Sequence, residues 1–190
     1  MTIAISDDPA GWFNAKAHEH DWKSRLCNEL VFDKAELNNL HQLWSSLTPD
    51  GTLPAREQLT ARLMKPYMRN LSIFAIERDA ANTMHYRHRF FGTAMADVFG
   101  NLTGKTFDDF LPPALVKRAN ACFDAIVCAQ RPLRLVTRYQ VEQANHLSAE
   151  IFAAPLAKPG EAPNMVMTVG YFLLPDAWKP AHALINAALS

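Results

Sequence analysis

The chain has 190 residues, with 19 basic and 19 acidic side chains and a formal net charge of zero at pH 7. Hydrophobic residues make up 49% and charged residues 20%, the balance of a globular domain that can bury a core. A nucleic-acid or membrane surface more often carries a basic excess, so neither partner is expected, and no run approaches the ~20 apolar residues of a membrane span. The N-terminal stretch MTIAISDDPAGW lacks the basic and apolar regions of a secretory signal. Three cysteines, Cys27, Cys122 and Cys128, form no CxxC pair, which fits reduced thiols and a cytoplasmic location.

Residues 8–31 read as an irregular helical stretch, with Trp12, Phe13, Trp22, Leu26 and Leu30 as apolar positions. Residues 34–47 form a clearer helix. Leu37, Leu40, Trp44 and Leu47 recur at spacings of three and four, and Asp33 and Glu36 have capping-box spacing. Thr48-Pro-Asp-Gly51 is a turn signal, and a short helix is expected from Pro54 to just before Pro66.

From residue 70 the pattern changes. Asn70–Arg78 is rich in β-branched and aromatic residues. Thr83–Phe91 alternates, with Met84, Tyr86, His88 and Phe90 on one face and His85, Arg87 and Arg89 on the other. Short helical pieces are expected near 94–99 and 107–111. A longer helix runs from Pro112-Pro113 to about Gln130, with the stripe Leu115, Ala119, Cys122, Phe123 and Ile126. Strands at 132–142, 146–156 and 164–174 complete the sheet, and Ala177–Leu189 has amphipathic helical spacing. The expected fold is α+β: a five-stranded antiparallel sheet with helices on one face, N-terminal helices before it and a C-terminal helix after it. The corresponding division is 1–67, 68–175 and 176–190.

One motif demands separate treatment. Gly100-Asn-Leu-Thr-Gly-Lys-Thr106 ends in the Gly-Lys-Thr of a phosphate-binding loop. That loop needs four residues between its glycines, follows a buried strand and opens a long helix. Here three residues intervene and the stretch joins two helical fragments. Gly100 and Gly104 suit a helix end and a tight turn, and Thr106 with Asp109 has capping-box spacing. The reading is a structural joint, not a nucleotide cradle.

The stretch RFFGTAMADVFGNLTGKTFDDFLPP (89–113) resembles the centre of a PAS domain, where a strand ends at a glycine and two small helices follow across a G-x-x-x-G joint. LWSSLTPDGTLPAREQL (43–59), MKPYMRNLSIFAIE (64–77) and EIFAAPL (150–156) resemble a bacterial PAS-like family with an N-terminal helical extension and no assigned function. The resemblance implies a sensory or regulatory module that binds a small molecule between sheet and helices, or a dimerisation unit. It names no cofactor. Light-sensing flavin PAS domains carry an Asn-Cys-Arg-Phe setting. Asn120-Ala-Cys122-Phe123 lacks that order and lies in another helix.

The ligand-pocket candidates are Tyr86, His88, Phe90, Met95, Phe123, Thr137, Tyr139 and Glu150. His88 alternates with two aromatics, so it is either a pocket contact, extending to a haem ligand, or a buried histidine bonded to a neighbour. Tyr139 and Thr137 share the apolar face of their strand. Glu150 lies on the Phe152 side of its strand and faces either solvent or a polar ligand. His18 and His20 sit about 200° apart on a helix and cannot share a metal. No Gly-x-Ser-x-Gly elbow is present, so an enzyme is not expected. The pair to test for one is His88 with Glu150.

Three classes therefore compete. The first is a sensor whose flanking helices, through a stripe at Leu40 and Trp44, contact a second copy in a homodimer or a separate signalling protein. The second is a ligand-free interaction module whose pocket is filled by Tyr86, His88, Phe90 and Tyr139. The third is a small α+β enzyme with a cone-like cavity.

Overall fold

The computed structural model describes residues 5–48, 50–140 and 146–173. Five helices and six strands follow in chain order: α1 Pro9–Glu19, β1 Ser24–Cys27, α2 Ala35–Leu47, α3 Ala61–Met64, β2 Leu71–Arg78, β3 Met84–Phe91, α4 Thr93–Phe99, α5 Pro113–Ala129, β4 Leu133–Gln140, β5 His146–Leu156 and β6 Met165–Leu173. Single 3-10 turns lie at Arg56–Gln58, Lys65–Tyr67 and Phe107–Asp109. The expected C-terminal helix lies outside the described residues.

All pairings are antiparallel, in the order β1-β4-β5-β6-β2-β3. The five expected strands are present, and a sixth joins them. Residues 24–27, read as helical from their apolar spacing, form β1 and pair with β4 from Ser24↔Thr137 to Cys27↔Arg134. Four residues are too few for a strand signature. The pairing with β4 and the bond from Asn14 Nδ2 to the Leu26 carbonyl at 2.8 Å impose the extended form.

The period-2 alternation of the strands sends side chains to both faces of the sheet, and each face has its own core. On one, α1 and α5 cover Leu26, Phe74, Tyr86, Leu133, Ile151 and Val166. On the other, α2 and the segment through Tyr67 cover Ile73, Phe152, Leu156, Met167 and Val169. Leu40 and Trp44, expected to form an exposed or partner-covered stripe, are 1% and 4% accessible. Trp44 packs on Phe152 with ring centroids 5.7 Å apart. The apolar stripe is real, but this chain's own sheet covers it.

The start of α2 also departs from the capping expectation. Lys34 stands at the N-cap with no side-chain cap bond. Instead the Asp33 and Lys34 amides donate to the Glu150 carboxylate at 3.1 and 3.0 Å. A carboxylate beside a helix N-terminus meets the positive end of the helix dipole.

The Gly100–Thr106 joint forms as expected. Gly100 ends α4 at φ 74° and Gly104 turns at φ 86°, where a Cβ is disfavoured. The Asp109 carboxylate accepts the Thr106 amide at 2.7 Å and the Thr106 hydroxyl at 3.0 Å. This turn docks on β3: the Gly104 amide donates to the His88 carbonyl, and the His88 amide donates to the Lys105 carbonyl.

Candidate functional site

A cavity of about 190 Å³ lies between the sheet and α4, the Phe107–Asp109 turn and α5. Its floor comes from Ser72 and Phe74 of β2, His88 and Phe91 of β3, Leu135 and Thr137 of β4, Ile151 and Ala153 of β5, and Thr168 of β6. Its roof is the expected α5 stripe, Leu115, Ala119, Cys122, Phe123 and Ile126, with Met95 and Phe99 from α4. Phe13 of α1 and Ser24 of β1 also reach it, so the N-terminal segment builds part of the wall. The Ser24 and Thr137 hydroxyls bond each other at 2.7 Å, holding β1 against that wall.

Arg118 of α5 lines the roof, and His88 is a buried polar group of the floor. It is 2% accessible and surrounded by Phe74, Phe91, Phe107 and Phe110, with ring centroids 4.3 to 5.9 Å away. Its Nδ1 lies 3.0 Å from the Lys105 carbonyl. A carbonyl only accepts, so Nδ1 carries the proton. Burial pushes the ring's pKa down to about 4, against a smaller opposing effect of the Lys105 bond. At neutral pH the imidazole is therefore uncharged and Nε2 holds a lone pair. Both earlier readings of His88 hold in part: it bonds a neighbour through one nitrogen and faces the cavity with the rest of the ring.

The other candidates divide sharply. Met95, Phe123 and Thr137 line the cavity. Tyr86 does not. It packs on Phe107 and Phe123, and its hydroxyl donates to Asp124 at 2.6 Å. Burial, reinforced by that carboxylate, drives the Tyr86 pKa up, and burial raises that of Asp124.

Phe90 lies on the opposite face, in the core under α2. A bulge is the reason. Ile73 pairs with Phe90 but Phe74 with His88, leaving Arg89 unpaired. The alternation slips by one, and Phe91 takes the cavity position. The Tyr139 backbone pairs with Leu147, but its side chain lies outside the described part.

Glu150 also belongs to the opposite face. It is 1% accessible and joined to Arg134 at 2.7 Å, with the Asp33 and Lys34 amides completing its shell. It therefore anchors no ligand in this cavity, and the sheet separates it from His88. Sequence reasoning missed Ser72, Phe91 and Phe13. Ser72 was within reach, because it alternates with Phe74 on the cavity face.

Cys122 lines the cavity, but burial pushes its thiol up to about 12, away from reactivity. Cavities near 150 Å³ admit benzene or xenon, and drug-sized ligands need roughly 300–1,000 Å³. The space of about 190 Å³ lies between those two sizes. No group of three or more His, Cys, Asp or Glu side chains fit for a metal occurs among the described residues.

This architecture, with a ligand-sized space between an antiparallel sheet and a short-helix lid, defines a PAS-type sensory or regulatory module. A family model described as a PAS domain matches residues 32–170, and the chain belongs to that family. The match begins in the N-terminal segment, consistent with α2 being part of the packed unit. Among solved structures, the chain is similar to a LOV protein from Rhodobacter sphaeroides, at 12% identity and TM-score 0.39, covering 62% of this chain and 71% of that one. It is also similar to a chain titled an RNA-binding light-oxygen-voltage receptor, at 7% identity and TM-score 0.41, covering 88% of this chain and 42% of that one. A comparison with curated proteins gives no match. Among the described residues, no helix is long and apolar enough to cross a membrane.

Proposed function

We propose that this PAS domain is a non-catalytic sensor that takes a small apolar molecule into the cavity above β2–β6 and passes its occupancy to α1. The observation that carries this reading is the cavity's shared wall: Phe13 of α1 and Ser24 of β1 stand in it beside the sheet and α5. A molecule that fills the space presses on the N-terminal segment directly. From there the signal passes to a second copy of the chain or to a separate signalling protein. Leu40 and Trp44 are unsuited to that role, being buried within one molecule. The zero net charge favours protein and neutral small-molecule partners over nucleic acid.

The test compares the protein with an Ala119→Phe variant, which fills the cavity from α5. Native mass spectrometry and thermal shift are read with small aromatics such as toluene and indole. The unaltered protein should take up one molecule, gain thermal stability and show slower hydrogen exchange in α1. Ala119→Phe should unfold cooperatively and take up none. If the unaltered protein neither retains nor binds any of these molecules, the sensor reading fails, and a ligand-free interaction module replaces it.

A further inference from the structure

We propose that the cavity selects a neutral, flat, one- or two-ring aromatic molecule carrying an N–H or O–H donor, which His88 Nε2 receives. The proposal rests on the sensor reading above and specifies the ligand class of the same site. Three observations converge on it.

The first is size. About 190 Å³ exceeds the ~150 Å³ that suffices for benzene, and is closer to a phenol- or indole-sized body than to the roughly 300–1,000 Å³ sites of drug-sized ligands. The second is the lining. Phe74, Phe91, Phe107, Phe110 and Phe123 present ring faces and edges, which pack well on a flat π-system. The third is a pair of buried polar atoms without partners among the described residues. His88 uses Nδ1 on Lys105, so Nε2 is an acceptor that no group among the described residues satisfies. The Ser72 hydroxyl, 2% accessible, likewise has no bond among the described residues and sits across from Thr168 on the same floor.

Buried polar atoms left unpaired are costly, and an apolar ligand alone would leave both so. A ligand with one donor satisfies Nε2, and Ser72 can donate to or accept from a second polar atom. Arg118 also lines the cavity but has an interaction of its own, and among the surrounding phenyl rings an ionised ligand would lose its hydration.

The test titrates two isosteric pairs, indole against indene and phenol against toluene, with benzoate as the charged arm. Each pair differs mainly by the donor, and the donor-free member is the more hydrophobic, so simple partitioning favours the opposite order. Indole and phenol should bind at least about tenfold more tightly than indene and toluene, and His88→Leu should level the preference. Should that variant not fold, ¹⁵N-histidine NMR of the unaltered protein serves. The Nε2 resonance should move with indole and stay in place with indene. Equal binding within both pairs, or tighter binding of benzoate, overturns the ligand class while leaving the sensor reading standing. Absence of binding by all five molecules overturns both.

Discussion

The two faces of the sheet are built from the same strands yet packed to different ends. The face under α2 is packed with aromatic and aliphatic side chains. Phe32 and Trp44 stack on Phe152 at 6.0 and 5.7 Å, and the buried Glu150 carboxylate is saturated by Arg134 and two amides. The face under α5 is also rich in aromatics, but its rings surround a space, and its buried histidine has no partner for one nitrogen among the described residues. Polar burial is fully paired on one face and only partly paired, among the described residues, on the other. Complete hydrogen-bond satisfaction marks a structural group. Partial satisfaction beside a void marks a candidate site.

The largest break in this contrast should come from the face under α2. Glu150→Leu leaves Arg134 only the more distant Asp33 carboxylate at 3.5 Å and strands the Asp33 and Lys34 amides, and should cost about 3 kcal/mol, read as a lower urea midpoint with an unchanged slope. A loss under about 1 kcal/mol would show that Glu150 is not the clamp of this face.

Next comes the cavity face under acid. The folded protein keeps His88 neutral down to about pH 4, whereas the unfolded chain protonates it near pH 6.5. The unfolded state then binds more protons, so stability falls as pH drops through this window. The contribution is on the order of 3 kcal/mol. Unfolding free energies between pH 7 and 4 should show the fall, and the difference between the protein and His88→Leu should isolate it. A parallel pH dependence in both would mean that His88 is already solvated.

The smallest effect is at the joint between the faces. A Cβ on Gly92 would lie 2.4 Å from the Met68 and Arg69 carbonyls, so backbone must shift. Gly92→Ala should cost about 1–3 kcal/mol. A neutral result would show that the strand exit yields freely.

Much of the cavity was legible because alternation and helical spacing report on one element at a time. His88, Thr137 and the α5 stripe were found that way. The bulge at Arg89 was hidden by the sequence itself: Phe90 and Phe91 are adjacent aromatics, so either register places a phenyl ring on either face. The stripe of Leu40 and Trp44 was visible, but its cover, Phe152, is more than a hundred positions away. β1 escaped because its extended form comes from a partner strand as distant in sequence. Glu150 was correctly set on the Phe152 side of its strand, but its partners, Arg134 and the amides preceding α2, come from other elements.

The place of β1 beside β4 has a practical consequence for dissecting the molecule. A fragment beginning at residue 68 would match the boundary drawn from strand and helix patterns, yet it would lack β1, α1 and α2. Its β4 would present a row of open amides and carbonyls along the sheet margin, next to a stripped apolar surface around Phe152 and Met167. An unprotected margin of that kind is a template for intermolecular strand pairing. Such a fragment should therefore precipitate or self-associate more readily than the longer chain, and an aggregate seen only with it would reflect the cut.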